Sequence, residues 1–387
     1  MSIVCHLVRK NTQLKASFIQ NQILSHFSFK PYVICIEERN NAIDGGFAKE
    51  LPGNINLYSL NNGKNRVRQF CNKYLLRLTI SQKQILIKHL ESTTPSIIHL
   101  HYGTDAGIYL TALKDTNIPK VVSFYGYECS GFPKSFLGYG KKFLQKTTFK
   151  LADVIFAMSE DMKIDLMELG CPEEKIIVHY YGTDVKRFKL NHDYREQKKS
   201  KYLIISGFAP QKGHLFLLKA FRQAYEKNKN IELTIVGDGS ERDKILSFVE
   251  QNNMNNYVHV LPFVTYASTE HLQHFAEHDV FIHPSLTDTN GDKEGIPGAI
   301  VEAMAAGLPI IATEHAGIPY VIQNNITGIL VKEWDIEALK EAILKLAVDA
   351  KLRKVLGISG QNFALSNLDL FEKEKKLEQT YDRLILN

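Results

Sequence analysis

The stretch HPSLTDTNGDKEGIPGAIVEAMAAGLPIIAT, from His283 to Thr313, decides how the rest of the 387-residue chain is read. An apolar run, Val280–His283, empties into a polar loop carrying Asp288, Asn290, Asp292 and Glu294. The pattern beyond the loop is helical and Pro297 suits a first turn, so a helix is expected to begin at Ile296–Gly298. A second apolar run, Pro309–Ala312, follows it. Strand, loop, helix and strand in that order make the repeating unit of a parallel sheet. Glu294 then stands just before the helix and Glu302 about one turn inside it, so two carboxylates flank the N–H groups at a positive helix end. Such a site suits a phosphorylated ligand with hydroxyls on either side, amides taking the phosphate and one carboxylate each set of hydroxyls. Capping by Glu294 and a fold-stabilising Glu302 are the structural alternative, although a buried carboxylate without a partner is costly.

Working outward, short apolar runs alternate with helical patterns along the whole chain. Strands are expected at Ile3–Val8, Tyr32–Ile36, Ile97–Leu100, Val121–Phe124, Val154–Ala157 and Ile176–His179, with helices such as Phe18–Leu24, Gln69–Leu90 and Met162–Leu169 between them. KLNHDYREQKKSK, 189–201, is polar and without periodicity, as a linker is. A second series follows at Tyr202–Ile205, Leu233–Val236, His259–Leu261, Val280–His283, Pro309–Ala312 and Ile329–Val331. The expectation is an α/β chain of two Rossmann-like, doubly wound domains facing across a cleft, 1–190 and 191–369. A charged amphipathic helix at 370–387 is expected to pack back on the first domain.

Composition narrows the classes. With 44% hydrophobic and 23% charged residues the chain is ordinary globular material. Its five scattered cysteines form no CxxC pair, which argues against a disulfide framework and for a reducing compartment. No basic segment followed by a long apolar run opens the sequence, and the most apolar stretch, Gly295–Thr313, is broken by Glu302, two prolines and three glycines. A soluble, cytoplasmic protein is expected. Charge is uneven: residues 1–190 hold 25 Lys/Arg against 16 Asp/Glu, whereas 191–387 hold 22 against 26. Residues 51–90 contain seven basic side chains and no acid, and 129–152 five lysines and no acid. Patches of this kind attract anionic partners, or they are simply solvated helix faces.

Two further turns carry glycine. GFAPQKGH, Gly207–His214, lies between a strand and a helix; its amides can meet an anion and Lys212 can add a charge, though a plain strand-to-helix turn reads the same way. IVGDGSERD, Ile235–Asp243, lacks the third glycine of a dinucleotide fingerprint and reads as structural. Near the first strand, Val8-Arg9-Lys10-Asn11 offers no GxGxxG either, which disfavours a nicotinamide dehydrogenase. The acids of the main loop would repel a nucleic-acid backbone. His99 and His101, two apart on a strand, share a face, but a metal needs a third ligand and none is evident, so no metal site is expected.

The Glu294–Glu302 spacing resembles the E-x7-E element of the retaining family 4 glycosyltransferases of GT-B fold. The surrounding HPSLTDTNGDKEGIPGAIVEAMAAGLPIIATEHAGIPYVI is similar to the branch that builds bacterial exopolysaccharide, capsule or O-antigen. ADVIFAMSEDMKIDLMELGCPEEKIIVHYYGTDVKRF, IIHLHYGTDAGIYLTALKDTNIPKVVSFYGYECS and VRKNTQLKASFIQNQI extend the likeness into the first half.

That resemblance implies a hexosyltransferase using a UDP- or GDP-sugar as co-substrate, with no metal. Glu294 would bind the donor sugar hydroxyls, the amides of Gly295, Ile296, Pro297 and Gly298 would lie along sugar and diphosphate, and Glu302 would hold the ribose. Lys212 would neutralise the departing diphosphate, Gly207 would permit its close approach, and the backbone at Phe263 and Val264 would face the base. Tyr125, Gly126 and His101 would meet the acceptor. The implied acceptor is a lipid-linked glycan, reached from the inner face of the cell membrane by a peripheral, anionic-surface-binding enzyme. Three departures stand out: Phe208 replaces an arginine common in the family, Tyr125-Gly126 replaces a His-Gly pair, and LKASFI opens the first helix. They leave a catalytically silent nucleotide-sugar-binding module as the alternative.

Overall fold

The computed structural model describes residues 1–37, 55–60, 66–135, 137–194, 198–289 and 291–386. The chain divides into two compact units, Met1–Gly182 with Leu370–Asn387, and Thr183–Asp369.

In the first unit the strands are β1 (Ser2–Lys10), β2 (Phe29–Glu37), β3 (Leu57–Ser59), β4 (Ile97–His101), β5 (Lys120–Ser123), β6 (Val154–Ala157) and β7 (Ile176–Val178). They form one sheet in the order β3-β2-β1-β4-β5-β6-β7, every pair parallel. The second unit carries β8 (Ser200–Ile205), β9 (Ile231–Val236), β10 (Val258–Leu261), β11 (Val280–His283), β12 (Ile310–Thr313) and β13 (Ile329–Val331), in the order β10-β9-β8-β11-β12-β13, again parallel. Central strands such as β4 and β11 are buried along their whole length. Their near-continuous apolar runs follow from being covered on both faces. Both units are therefore Rossmann-like and doubly wound. In each, the winding reverses beside the first strand, between β1 and β4 and between β8 and β11, and ligands of such sheets bind beyond the carboxyl ends at that point.

All twelve expected strands form; β3, three half-buried residues at a sheet edge, has no signal of its own. The expected Gln69–Leu90 helix is two helices, Arg66–Lys73 and Ile80–Thr93. Leu76 takes a left-handed φ of 48°, and Thr79 and Gln82 close a capping box that starts the second helix. The division between units falls at Gly182 and not at 190, because Val185–Phe188 is already a helical turn whose Phe188 packs on Tyr266, His271 and Phe275. Nor is all of the polar 189–201 segment a free tether: the Tyr194 phenol donates to the Gly307 carbonyl at 2.6 Å.

The helix Leu370–Leu386 belongs to the first unit, its Leu377 and Tyr381 buried with Val4, Phe29, Ile97 and Phe156. The second unit's core gathers Tyr202, Ile204, Phe208, Phe221 and Leu233 with Ile282 and Ile311. No helix among the described residues is long and apolar enough to cross a membrane.

Candidate active site

The carboxyl ends of β8 and β11 hold the second unit's polar residues. The turn after β8 ends at Gly213, whose φ of 70° only glycine adopts without strain. A Cβ there would lie 2.0 Å from the Pro284 carbonyl oxygen, so the turn presses directly on the chain leaving β11. The Leu286 N–H donates to the Gln211 carbonyl at 2.8 Å, tying the two segments together. This contact brings Lys212 to Glu294, across 82 residues of sequence.

The Glu294 carboxylate is largely buried and has a partner on each oxygen. Lys212 Nζ donates to its Oε2, Ser285 Oγ donates to its Oε1 at 2.8 Å, and His283 Nε2 stands 3.9 Å from Oε1. Burial alone would raise its pKa, but the Lys212 charge and His283 outweigh that and hold the carboxyl well below the usual carboxylate range. It is an anion at every physiological pH. The Glu294 N–H donates to His315 Nε2 at 3.1 Å, so the other ring nitrogen, Nδ1, carries the proton and donates to Glu333 Oε1 at 2.6 Å. Glu333 also accepts from the Thr287 amide at 2.8 Å, which fixes the loop at both ends.

Beyond Glu294, Gly295, Ile296 and Pro297 run buried into the helix Gly298–Ala305, whose N-terminus has no side-chain cap. Pro297 is the capping residue and Gly298 the first helical one, as the sequence implies. Glu302 lies in this helix, buried, with His271 Nε2 at 3.6 Å. Burial raises its pKa to about 8. His271 Nδ1 accepts from the Ala267 amide at 2.9 Å, so its proton is on Nε2, toward Glu302.

A Cβ at Gly207 would meet the Asp238 carbonyl oxygen at 3.9 Å, ordinary contact, so the position is not sterically closed. Phe208 does not point that way: its ring is 1% exposed, in the core and against His214. Gly237 and Gly239 are structural, as expected; a Cβ on either would meet the Ser206 or Phe208 backbone within 2.6 Å. On the loop after β10 the Phe263 ring is exposed and Val264 is buried.

In the first unit Tyr125 and Gly126 follow β5, with their amides donating to the buried carboxylate of Glu128, which also accepts from the Gly103 amide at 3.1 Å. Burial raises Glu128 to about 7. His101, expected to touch an acceptor, is fully enclosed at the end of β4; its Nε2 faces His6 and its Nδ1 the Tyr125 hydroxyl at 2.6 Å. That corrects its expected role, since an enclosed ring with both nitrogens taken offers no face to a ligand.

Sequence reasoning missed Gly213, Ser285, His315, Glu333 and Glu128. Ser285 and His315 each stand two residues beyond a strand's end, where site residues collect. Glu333 gives no signal, being joined to the site only by packing.

The basic segments divide. Val67, Phe70, Tyr74, Leu75 and Ile80 are exposed among Lys73 and Arg77, whereas Leu76, Phe143 and Leu144 are buried and face no solvent. Lys64 lies outside the described residues.

Comparison with known proteins gives the class. Residues 186–363 match the glycosyl transferases group 1 family and residues 47–187 match glycosyltransferase family 4. Between them the two matches span most of the chain, which carries group 1 and family 4 glycosyltransferase domains of GT-B type. Among relatives, the amylovoran biosynthesis glycosyltransferase AmsK of Erwinia amylovora is 30% identical over 65% of this chain, a match that spans only 60% of AmsK. An Escherichia coli UDP-Gal:alpha-D-GlcNAc-diphosphoundecaprenol alpha-1,3-galactosyltransferase is 24% identical over 78% of this chain and 79% of its own. In fold the chain is similar to Anabaena Alr3699/HepE, solved in complex with UDP and glucose, at a TM-score of 0.77 and 16% identity over 99% of this chain and all of that one.

Proposed function

We propose that this protein transfers a hexosyl group, with retention, from a UDP- or GDP-sugar to a lipid-linked glycan in cell-surface polysaccharide assembly. One observation carries the reading: Lys212 and the permanently ionised Glu294 meet at the β8/β11 switch point, before an uncapped helix N-terminus with Glu302 inside it. Glu294 accepts hydrogen bonds from donor sugar hydroxyls. The amides opening the Gly298 helix and Lys212 take the charge that grows on the diphosphate as the glycosidic bond breaks. Donors already aimed at developing charge lower a barrier of this kind more than any other single device. Glu302 accepts from the ribose hydroxyls, and the backbone at Phe263 and Val264 borders the base. No metal enters this scheme. Front-face attack, with the leaving diphosphate drawing the acceptor proton, accounts for retention without a protein nucleophile.

Tyr125 and Gly126 meet the acceptor hydroxyl. A lipid-linked acceptor is supported by the diphosphoundecaprenol-dependent galactosyltransferase among the relatives, and a polysaccharide pathway by the amylovoran enzyme. The exposed Val67, Phe70, Tyr74 and Leu75 beside Lys73 and Arg77 suit docking on an anionic cytoplasmic membrane surface. Reversing Lys73, Arg77, Lys141 and Lys146 to glutamate should release the protein from anionic vesicles; unchanged binding would refute docking.

The buried Phe208 ring, standing where relatives often place a cation, favours a silent binding module as the second reading. Calorimetric titration with UDP- and GDP-sugars, followed by a transfer and hydrolysis assay, separates the two. Binding with turnover supports the enzyme, and binding without either supports the module.

A further inference from the structure

The first unit holds a continuous chain of polar side chains of which the reaction above uses only the end, Tyr125. His26 Nδ1 lies 2.7 Å from Glu374 Oε1 and 3.2 Å from Glu378 Oε1, both on the helix Leu370–Leu386. His26 Nε2 lies 2.8 Å from His6 Nε2, His6 Nδ1 lies 2.9 Å from His101 Nε2, and His101 Nδ1 lies 2.6 Å from the Tyr125 hydroxyl. Three imidazoles thus link two carboxylates to the phenol.

A neutral imidazole donates at one nitrogen and accepts at the other. His6 and His101 each have a partner at both nitrogens, so the two rings must point their N–H groups the same way along the chain. Reversing one alone would set two N–H groups, or two lone pairs, head to head. The chain therefore has two states, chosen at its ends. When His26 is an imidazolium it donates to the carboxylates and to His6; His6 then donates from Nδ1 to His101, and His101 from Nδ1 to the Tyr125 oxygen. The phenol hydrogen is left to point elsewhere. When His26 is neutral and keeps its proton on Nδ1, every bond from its Nε2 onward reverses and Tyr125 spends its hydrogen on His101.

We propose that His26, Glu374 and Glu378 are positioning residues that, through the His6–His101 chain, make Tyr125 a hydrogen-bond donor to an acceptor-substrate oxygen. Only the last link rests on the reading of Tyr125 as an acceptor contact. The surroundings favour this polarity. Burial opposes charge on His26, but Glu374 and Glu378 overcome it and raise its pKa to about 9. Glu374 is fully enclosed, and burial together with Glu378 raises its own pKa against the pull of His26, its one close cation among the described residues, so an uncharged His26 would leave its charge uncompensated. Burial, with the neighbouring histidines, holds His6 well below its ordinary value, and it lowers His101 to about 3, so both stay neutral. The other groups facing the chain are compatible. His99, paired across β1 and β4 with His6, is occupied by Ser123 Oγ at 2.7 Å and Tyr381 Oη at 2.5 Å. His179, Lys373 and Lys376 lie beyond His99; Tyr102 and Glu128 lie beside Tyr125, and the Ser123 hydroxyl, which bonds His99, also faces the phenol. His6, His99 and His101 are also close enough to share an ion, yet each of their ring nitrogens already has a partner within 3.0 Å.

The test is nitrogen NMR of the full chain carrying ring-15N histidine, titrated from pH 7 to 10.5. At pH 7 His26 should be doubly protonated, and His6 and His101 should both be Nδ1–H tautomers. Through about pH 9 both should switch together to Nε2–H. Opposite tautomers in the two rings, or tautomers indifferent to His26, would overturn the proposal, as would one equivalent of tightly held zinc by elemental analysis. Glu374→Gln should lower the switching pH by at least one unit and raise the acceptor KM about tenfold with the donor KM unchanged; if that variant does not fold, the wild-type titration still decides. The NMR needs no substrate, so its failure sinks the chain and leaves the acceptor reading standing. Tyr125→Phe with an unchanged acceptor KM would sink the acceptor reading, and the last link with it, while the tautomer switch persists.

Discussion

The two units wind in the same order and reverse at the same place, yet the side-chain networks they build at the reversal differ in kind. At β8/β11 stand fixed charges of both signs, Lys212, Glu294 and Glu333, locked by loop contacts such as Gly213 on Pro284. At β1/β4 a line of neutral imidazoles ends on a phenol and carries its own charges set back at His26, while Arg9 and Asp105, 3.6 Å apart, and Glu128 stand outside that line. Topology chooses where a site forms; side-chain charge chooses which part of a reaction it can serve. Fixed charge matches a diphosphate, whose charge grows during transfer, whereas a hydroxyl acceptor needs a directed hydrogen bond and little field. That contrast can be attacked from its strongest side to its weakest.

Glu294→Gln should do the most damage. It keeps the shape, removes the anion and frees Lys212 to swing, so transfer should fall about 10²–10³-fold, the scale of losing one preorganised electrostatic contact. Circular dichroism should be unchanged, because Lys212 reaches solvent and is not stranded. Lys212→Ala is a poorer probe, since it leaves Glu294 buried without its cation; the double variant is the proper control. Undiminished transfer by Glu294→Gln would end the active-site assignment.

Phe208 tests whether the missing cation can be restored. Its ring is core, so Phe208→Ala should cost about 3–5 kcal/mol of stability by denaturant titration. Phe208→Arg should cost at least as much, having added an unpaired buried charge. An arginine variant that folds normally and turns over faster would show that the backbone at this turn can rearrange to present it to the diphosphate.

The charged site is far more legible in the sequence than the neutral one, for a physical reason. Glu294, Pro297, Gly298 and Glu302 are neighbours on one loop and helix, so their spacing alone says what they do. The imidazole chain joins positions 6, 26, 101, 374 and 378, from two strands, a loop and the last helix, and no local pattern relates them. His101 stands out by its alternation with His99, but its burial does not, because the rings that cover it come from β1 and from Tyr125. Strands are legible wherever burial on both faces imposes an apolar run. The break at Leu76 escapes because a left-handed residue leaves the helical spacing on either side intact.

Gly213→Ala probes the loop contact that holds Lys212 in place. The new Cβ would need about 1 Å of movement away from the Pro284 carbonyl, in a backbone conformation that costs an alanine about 1 kcal/mol or more. Transfer should drop about 10- to 100-fold through misplaced Lys212, with the thermal midpoint lowered by several degrees. A drop in stability with full activity would mean that Lys212 finds the diphosphate without this turn.

Glu302 gives the finest test, because it is the one acid at the charged site whose ionisation falls near neutrality. Burial lifts it to about 8, with no cation to offset the cost. Ribose hydroxyls donate to the ionised carboxylate, so donor binding must be accompanied by loss of that proton, and affinity must rise with pH. From pH 7, where roughly a tenth is ionised, to pH 9, where roughly nine-tenths is, the donor KM should fall about tenfold. Glu294 does not contribute, being ionised throughout, and His271, lowered to about 4 chiefly by its burial, is neutral across the range. Glu302→Gln should abolish the slope and hold the donor KM near its weak, low-pH value. A slope that survives this substitution would belong to another group. A flat wild-type profile would detach Glu302 from the donor altogether, leaving Lys212 and Glu294 as the whole of the charged site.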